Sequence, residues 1–122
     1  MSGSTPTYTH LVLDSLNDLA GSSEVLASML GTIASTLEDD IAQLKQLAAT
    51  EQLPQVASKL HTLKGYIPMM CQPAMAERLL AVEALLRPTP SSAVLASAEW
   101  AELVQDLDAL HHDIVTALAQ QG

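Results

Sequence analysis

One stretch of the chain, His61-Thr62-Leu63-Lys64-Gly65, places a nucleophile, a cation and a residue without a side chain close together. At about 100° per helical residue, His61 points roughly 110° away from the apolar stripe of its own segment, toward solvent. Lys64 and Gly65 follow at i+3 and i+4, the positions that lie beside His61 on a helix surface. A neutral imidazole is a nucleophile, and an ammonium attracts an anion held on it. The spacing therefore indicates a histidine prepared to carry a phosphoryl group.

Gly65 adds a second indication, because glycine inside a helix costs about 1 kcal/mol relative to alanine. A functional advantage would compensate for this cost, and one such advantage is the open space that a glycine leaves beside His61. A plain surface role is the alternative: His61 is then a solvated histidine, Lys64 a solubilising charge and Gly65 the start of a frayed helix end before Pro68. These residues by themselves leave both interpretations open. Burial of His61 would favour a third, a purely structural helical bundle.

Other reactive side chains have structural explanations. The run His111-His112-Asp113 suggests a metal site, but adjacent residues of a helix point about 100° apart and do not easily face one ion. Cys71 has no histidine or cation close in sequence, and we interpret it as a small apolar filler.

Several further residues are assigned to ordinary helix surfaces or to gaps between helices. Lys59 and Arg78 are interpreted as surface charges, and Asp40 as part of a solvated face. The methionines, Met69 and Met70 especially, are expected to fill gaps between helices. Exposed methionines near the histidine would instead form an adaptable docking surface.

Apolar residues recur at three- and four-residue steps along most of the chain, which predicts helices rather than strands. A short helix is expected before Gly21, with Thr9 near its N-cap and Gly21 as its end. A long helix is expected from Ser22, whose hydroxyl caps the free amides, to residue 49. The histidine helix has Pro54 in its first turn and is expected to end at Pro68, about two turns after the histidine.

Two further stripes cover residues 75–86 and 92–120, with the proline-containing segment 88–90 between them. No stripe can be buried alone, and the connections between them are short. The pattern therefore predicts an all-α fold, an antiparallel four-helix bundle with an additional short N-terminal helix. Residues 1–8 are expected to be a flexible N-terminal segment and residues 9–122 the bundle domain.

Composition narrows the classes of partner. Five Lys plus Arg against fourteen Asp plus Glu give a net charge of -9, which repels nucleic acid and anionic membrane surfaces. The single cysteine cannot form an internal disulfide, and the first ten residues lack the pattern of a secretory signal. No apolar stretch approaches the ~20 residues that cross a bilayer. A cytoplasmic protein that binds neither nucleic acid nor membrane is expected.

The stretch at His61 resembles the histidine-containing phosphotransfer domain (Hpt domain) of multistep two-component signalling. That family carries a His-x-x-Lys-Gly core on the second helix of a four-helix bundle, here His61-Thr62-Leu63-Lys64-Gly65. The resemblance extends over roughly residues 16–120 and includes a Gly-Ser-Ser-Glu helix start and a long closing helix.

The resemblance implies a phosphocarrier without autonomous kinase activity. His61 would accept a phosphoryl group from the aspartate of one response-regulator receiver domain, including that of a hybrid sensor histidine kinase, and pass it to another. Mg²⁺ and most catalytic groups belong to the receiver, so the chain needs no cofactor of its own. We expect a monomer whose docking face combines the flank around His61 with apolar residues of the first helices, such as Leu11 or Leu16.

The resemblance also assigns roles around the histidine. Lys64 would stabilise the phosphoryl charge and Gly65 would give steric clearance. In several family members a polar residue twenty-two positions after the histidine bonds the other ring nitrogen; that residue is Glu83, which would orient the imidazole. A solvated Glu83 beside Arg87 at i+4 is the alternative.

The chain departs from the family pattern after the Lys-Gly pair. Tyr66, Ile67 and Pro68 stand where small residues are usual, and Cys71 stands where a glycine is usual. These departures favour a second hypothesis, an Hpt-like adaptor that binds a receiver or sensor kinase without phosphotransfer.

Overall fold

The computed structural model describes residues 8–86 and 91–121. The predicted flexible segment, residues 1–8, lies outside the described residues except for Tyr8, and so does the predicted loop at 88–90. The described helices are α1 (Leu13–Ala20), α2 (Ser23–Ala49), α3 (Leu53–Lys64), α4 (Pro73–Leu86), α5 (Ser92–Leu95) and α6 (Ala98–Gln121), with a 3₁₀ turn at Ile67–Met69.

Helices α2, α3, α4 and α6 form a closed four-helix bundle. Helix α2 packs against α3 and α6, and α4 packs against both α3 and α6, while the short α1 lies on α2. The predicted all-α fold is therefore confirmed. No helix among the described residues is long and apolar enough to span a membrane.

The start of α2 follows the prediction, and the start of α1 does not. The Ser22 hydroxyl accepts a hydrogen bond from the Val25 amide at 3.2 Å, and Gly21 ends α1 in the left-handed conformation at φ 77°. Helix α1 begins after Val12, so the prediction of Thr9 near its cap was wrong. The physical reason is that residues 10–12 pair in an extended conformation with residues 70–72.

Helix α3 ends at Lys64, one turn after His61, so the predicted end at Pro68 was wrong. Proline lacks an amide donor and its ring clashes with the carbonyl four residues earlier, which is that of Lys64. The chain tightens instead to three-residue hydrogen bonds, from the Gly65 amide to the Thr62 carbonyl and onward into the 3₁₀ turn. This early end places Gly65 at the edge of the histidine helix.

The single helix predicted over residues 92–120 is divided into α5 and α6. At the division, the Ser97 hydroxyl accepts from the Trp100 amide and donates to the Val94 carbonyl. A serine that bonds nearby backbone groups competes with helix continuation and caps the next helix.

The core is mainly aliphatic, with Trp100 as its aromatic member among the described residues, and the predicted stripes supply most of it. Leu11 and Leu16, proposed above for docking, are 3% and 0% exposed, so that assignment was wrong. Asp113 on α6 explains the burial of Leu11, because its Oδ2 accepts from the His10 and Leu11 amides at 2.9 and 3.3 Å. The pairing with residues 70–72 holds the same segment against the bundle.

Candidate functional site

His61 is exposed on α3 and lines an open pocket of about 420 Å³. The exposure agrees with its angular position on the helix. The structural-bundle interpretation required a buried imidazole and loses its support. The pocket lies between α3 and α4, and its lining residues are Pro54, Ala57, Ser58, His61, Lys64 and Glu83.

Lys64 and Glu83 meet in this pocket as an ion pair between α3 and α4. The Lys64 Nζ donates to Glu83 Oε1 at 3.4 Å, and Glu83 is only 3% exposed. Burial rules out the alternative of a solvated Glu83, while Arg87, its suggested neighbour, lies outside the described residues. A buried carboxylate is costly without compensation, so the Lys64 ammonium stabilises it. The structure therefore brings His61, Lys64 and Glu83 together.

Gly65 lies directly after the last residue of α3, and not inside a helix as expected. Its φ and ψ of -71° and -22° are right-handed, so the backbone does not require glycine there. A Cβ would nevertheless lie 3.1 Å from the Thr62 carbonyl oxygen, closer than ordinary van der Waals contact. The absent side chain leaves the exposed surface beside the His61 turn open.

A second ion pair, which was not predicted from the sequence, joins α3 to α2. Asp40 on α2 is 8% exposed, so its assignment to a solvated face was wrong. Its Oδ1 accepts from Lys59 Nζ at 3.2 Å and its Oδ2 from the Tyr66 hydroxyl at 2.8 Å. The signal was present in the spacing, because Asp40 follows the apolar Leu37 by three positions and precedes Leu44 by four.

Tyr66 makes a pH-dependent contribution to stability. Burial, then the hydrogen bond to Asp40 and its charge, raise the pKa of Tyr66 above the usual 10.0. An unfolded tyrosine therefore ionises first as the pH rises, and the contribution is complete below pH 10 and lost above it. We expect the unfolding free energy to fall above pH 10 by up to about 1.4 kcal/mol per pH unit from this residue.

Urea denaturation between pH 9 and 11 measures this loss. The variant Tyr66→Phe should lose less stability over that range, although Tyr8, whose pKa is also raised, remains. An equal alkaline loss in Tyr66→Phe and the parent would contradict the assignment.

An apolar pocket of about 380 Å³ opens on the α2 side of the bundle. Its lining residues are Val25, Ser28, Met29, Thr32, Ile33 and Met69, and we call this set the α2 apolar surface. Met69 is exposed and Met70 is buried, so only the second fills a gap between helices. Ile33 lies seven residues before Asp40, so it is about 10 Å along α2 from the residue that pairs with Lys59.

The remaining candidates lie apart from His61. Asp113 is buried and holds the N-terminal segment, while His112 next to it is exposed. Cys71 is buried and burial raises its pKa, which suits the apolar filler predicted for it. Arg78 is not a free surface charge, because it pairs with Glu102 and Asp106 of α6. Among the described residues, no three His, Cys, Asp or Glu side chains are placed to hold a metal ion.

A scan against models of protein families matches the Hpt domain over residues 28–120, a range that contains His61 and all of the bundle helices except the start of α2 and the last residue of α6. The chain therefore belongs to the Hpt domain family, which performs histidine phosphotransfer in two-component signalling. Hpt domains are phosphocarriers rather than enzymes, and they interact with response-regulator receiver domains. In the comparisons with curated proteins and with solved structures, nothing matches the chain.

Proposed function

We propose that His61 carries a phosphoryl group between the aspartates of receiver domains, one of which belongs to a hybrid sensor histidine kinase. The observation that carries the proposal is an exposed imidazole in one pocket with Lys64 and Glu83. The family match supports it, because His61, Lys64 and Gly65 occupy the His-x-x-Lys-Gly pattern within the matched range.

In the proposed reaction, a neutral ring nitrogen of His61 attacks the phosphorus of a receiver aspartyl phosphate. The N–P bond forms while the P–O bond to the aspartate breaks, and the electron pair leaves with the carboxylate. The ring proton stays on the other nitrogen, so the product is a phosphoimidazolium. Transfer to the second receiver is the reverse reaction, and the receiver supplies Mg²⁺ in both directions.

Three neighbouring residues have proposed roles in this step. Lys64 stabilises the phosphoryl charge, since its side chain is 28% exposed and its ammonium borders the pocket. Gly65 gives the incoming receiver clearance. Glu83 accepts a hydrogen bond from the ring nitrogen that carries no phosphate and so orients the imidazole.

The α2 apolar surface is the proposed docking site for the receiver. It replaces Leu11 and Leu16, which are buried, and it exposes Val25 on α2 and Met69 in the 3₁₀ turn that follows the histidine helix. A receiver that contacts both this surface and the pocket would bring its aspartate to His61. We propose that the protein docks as a cytoplasmic monomer.

Incubation with receivers carrying ³²P-labelled aspartyl phosphate tests the function. We expect the label to move to this chain, to survive alkali and to be lost in acid, because a phosphoramidate is acid-labile. Label that persists in acid would contradict histidine phosphorylation. Receiver binding without transfer would support the adaptor hypothesis instead.

Met69→Glu should slow transfer from the receiver by about tenfold or more, since docking would desolvate the new charge against apolar atoms. Initial rates at subsaturating receiver concentration measure the effect. The matched control is Leu85→Glu on α4, because Leu85 is 50% exposed and Met69 is 47% exposed. Equal slowing in both variants would exclude the α2 apolar surface as the specific docking site.

A further inference from the structure

The two lysines that flank His61 on α3 are each paired with a buried carboxylate of a neighbouring helix. Lys64 pairs with Glu83 of α4 at 3.4 Å, and Lys59 pairs with Asp40 of α2 at 3.2 Å. Both carboxylates are less than a tenth exposed. The charge of each lysine is therefore already offset by an acid.

The two pairs differ in their relation to the pocket. Lys64 and Glu83 line it together with His61, and Lys59 and Asp40 do not. A phosphoryl group on His61 and the Glu83 carboxylate would both attract the Lys64 ammonium. The negative charge of Glu83 holds the Lys64 ammonium on the α4 side. This weakens the attraction between the ammonium and the phosphoryl oxygens.

We infer that Glu83 restrains Lys64 by competing with a phosphoryl group on His61 for the ammonium, and thereby shortens the lifetime of the phosphohistidine. The inference rests on the proposed function of His61. A Lys64 that is held by Glu83 stabilises the phosphoryl group less than an unrestrained lysine would. The phosphoryl group is therefore transferred more readily. Glu83 acts here as a positioning residue, through Lys64, in addition to its proposed contact with the ring.

The experiment labels the full chain without a receiver, using phosphoramidate as the donor. A neutral His61 nitrogen forms the N–P bond while the P–N bond of phosphoramidate breaks and ammonia leaves. Excess donor is removed, and the hydrolysis of phosphohistidine to imidazole and inorganic phosphate is followed by ³¹P NMR. The variants are E83Q, K64Q, the double variant and the control K59Q.

E83Q should lengthen the half-life of the phosphohistidine by about tenfold, because it removes the charge and keeps an amide oxygen for the imidazole. K64Q should shorten the half-life, and the double variant should match K64Q. K59Q should match the parent protein, since its ion pair lies outside the pocket. An E83Q half-life equal to or shorter than that of the parent would overturn the inference.

The double variant separates restraint from direct repulsion. If Glu83 acts on the phosphoryl group itself, E83Q lengthens the half-life as much in the K64Q background as alone, which would also overturn the inference. Should a variant fail to fold, the parent protein provides a second measurement. Its Lys64 Nζ resonance should shift on phosphorylation while that of Lys59 stays in place, and an unmoved Lys64 resonance would overturn the inference.

The two proposals fail in different ways. A parent protein that takes no label from phosphoramidate or from receivers would remove both. A labelled parent whose half-life is unchanged in E83Q would remove only the restraint of Lys64.

Discussion

Replacing His61 by glutamine is expected to abolish transfer of the phosphoryl group from labelled receivers, a loss of at least about three orders of magnitude. The amide of glutamine has no nucleophilic nitrogen lone pair, so it cannot form the N–P bond. His61 is exposed and outside the core, so the unfolding free energy should change by no more than about 0.5 kcal/mol. The measurement is ³²P transfer, with urea denaturation of the same preparations.

The matched control for this variant is His112→Gln on α6. His112 is also exposed on a helix, but it does not line the pocket of His61. We expect the control to accept label at the parental rate. If His61→Gln still accepted label, or if His112→Gln no longer accepted it, the phosphoryl acceptor would be a residue other than His61.

Gly65→Gln is expected to slow transfer between receiver and protein by about 100-fold, while the helix content stays the same. Gly65 is exposed one turn after His61, so a long side chain there would occupy the space through which the receiver approaches. A displacement of about 1 Å between reacting groups already costs about two orders of magnitude in rate. Circular dichroism measures the helix content, and quenched ³²P-transfer assays measure the rate of transfer.

Gly65→Ala is the control that separates the side chain from the backbone. Its Cβ meets the same Thr62 carbonyl oxygen, at 3.1 Å, but projects no further over the surface. We expect Gly65→Ala to transfer label at close to the parental rate. Equal slowing in both variants would show that the contact with Thr62, and not clearance for the receiver, accounts for the glycine.

Most of the helices could be predicted because their information is local. Periodic leucines and the Ser22 cap act within a few residues of each other, and so does the left-handed turn at Gly21. Pro68 was correctly predicted to end α3, but the predicted end was four residues too late. The proline ring clashes with the carbonyl four residues earlier, so the helix already ends at Lys64. The division between α5 and α6 depends on hydrogen bonds of Ser97 with its own neighbours, and an uninterrupted apolar stripe concealed it.

The sequence by itself determined that His61 faces solvent with Lys64 nearby, because one regular helix carries both residues, and Gly65 follows directly after its last residue. Only the tertiary structure decided that Lys64 is held by Glu83. It also decided that Lys59 is held by Asp40. In both pairs the two residues are 19 positions apart and lie on different helices, so packing decides whether they meet. The same reason buried Leu11, whose amide is bonded by a carboxylate 102 residues away.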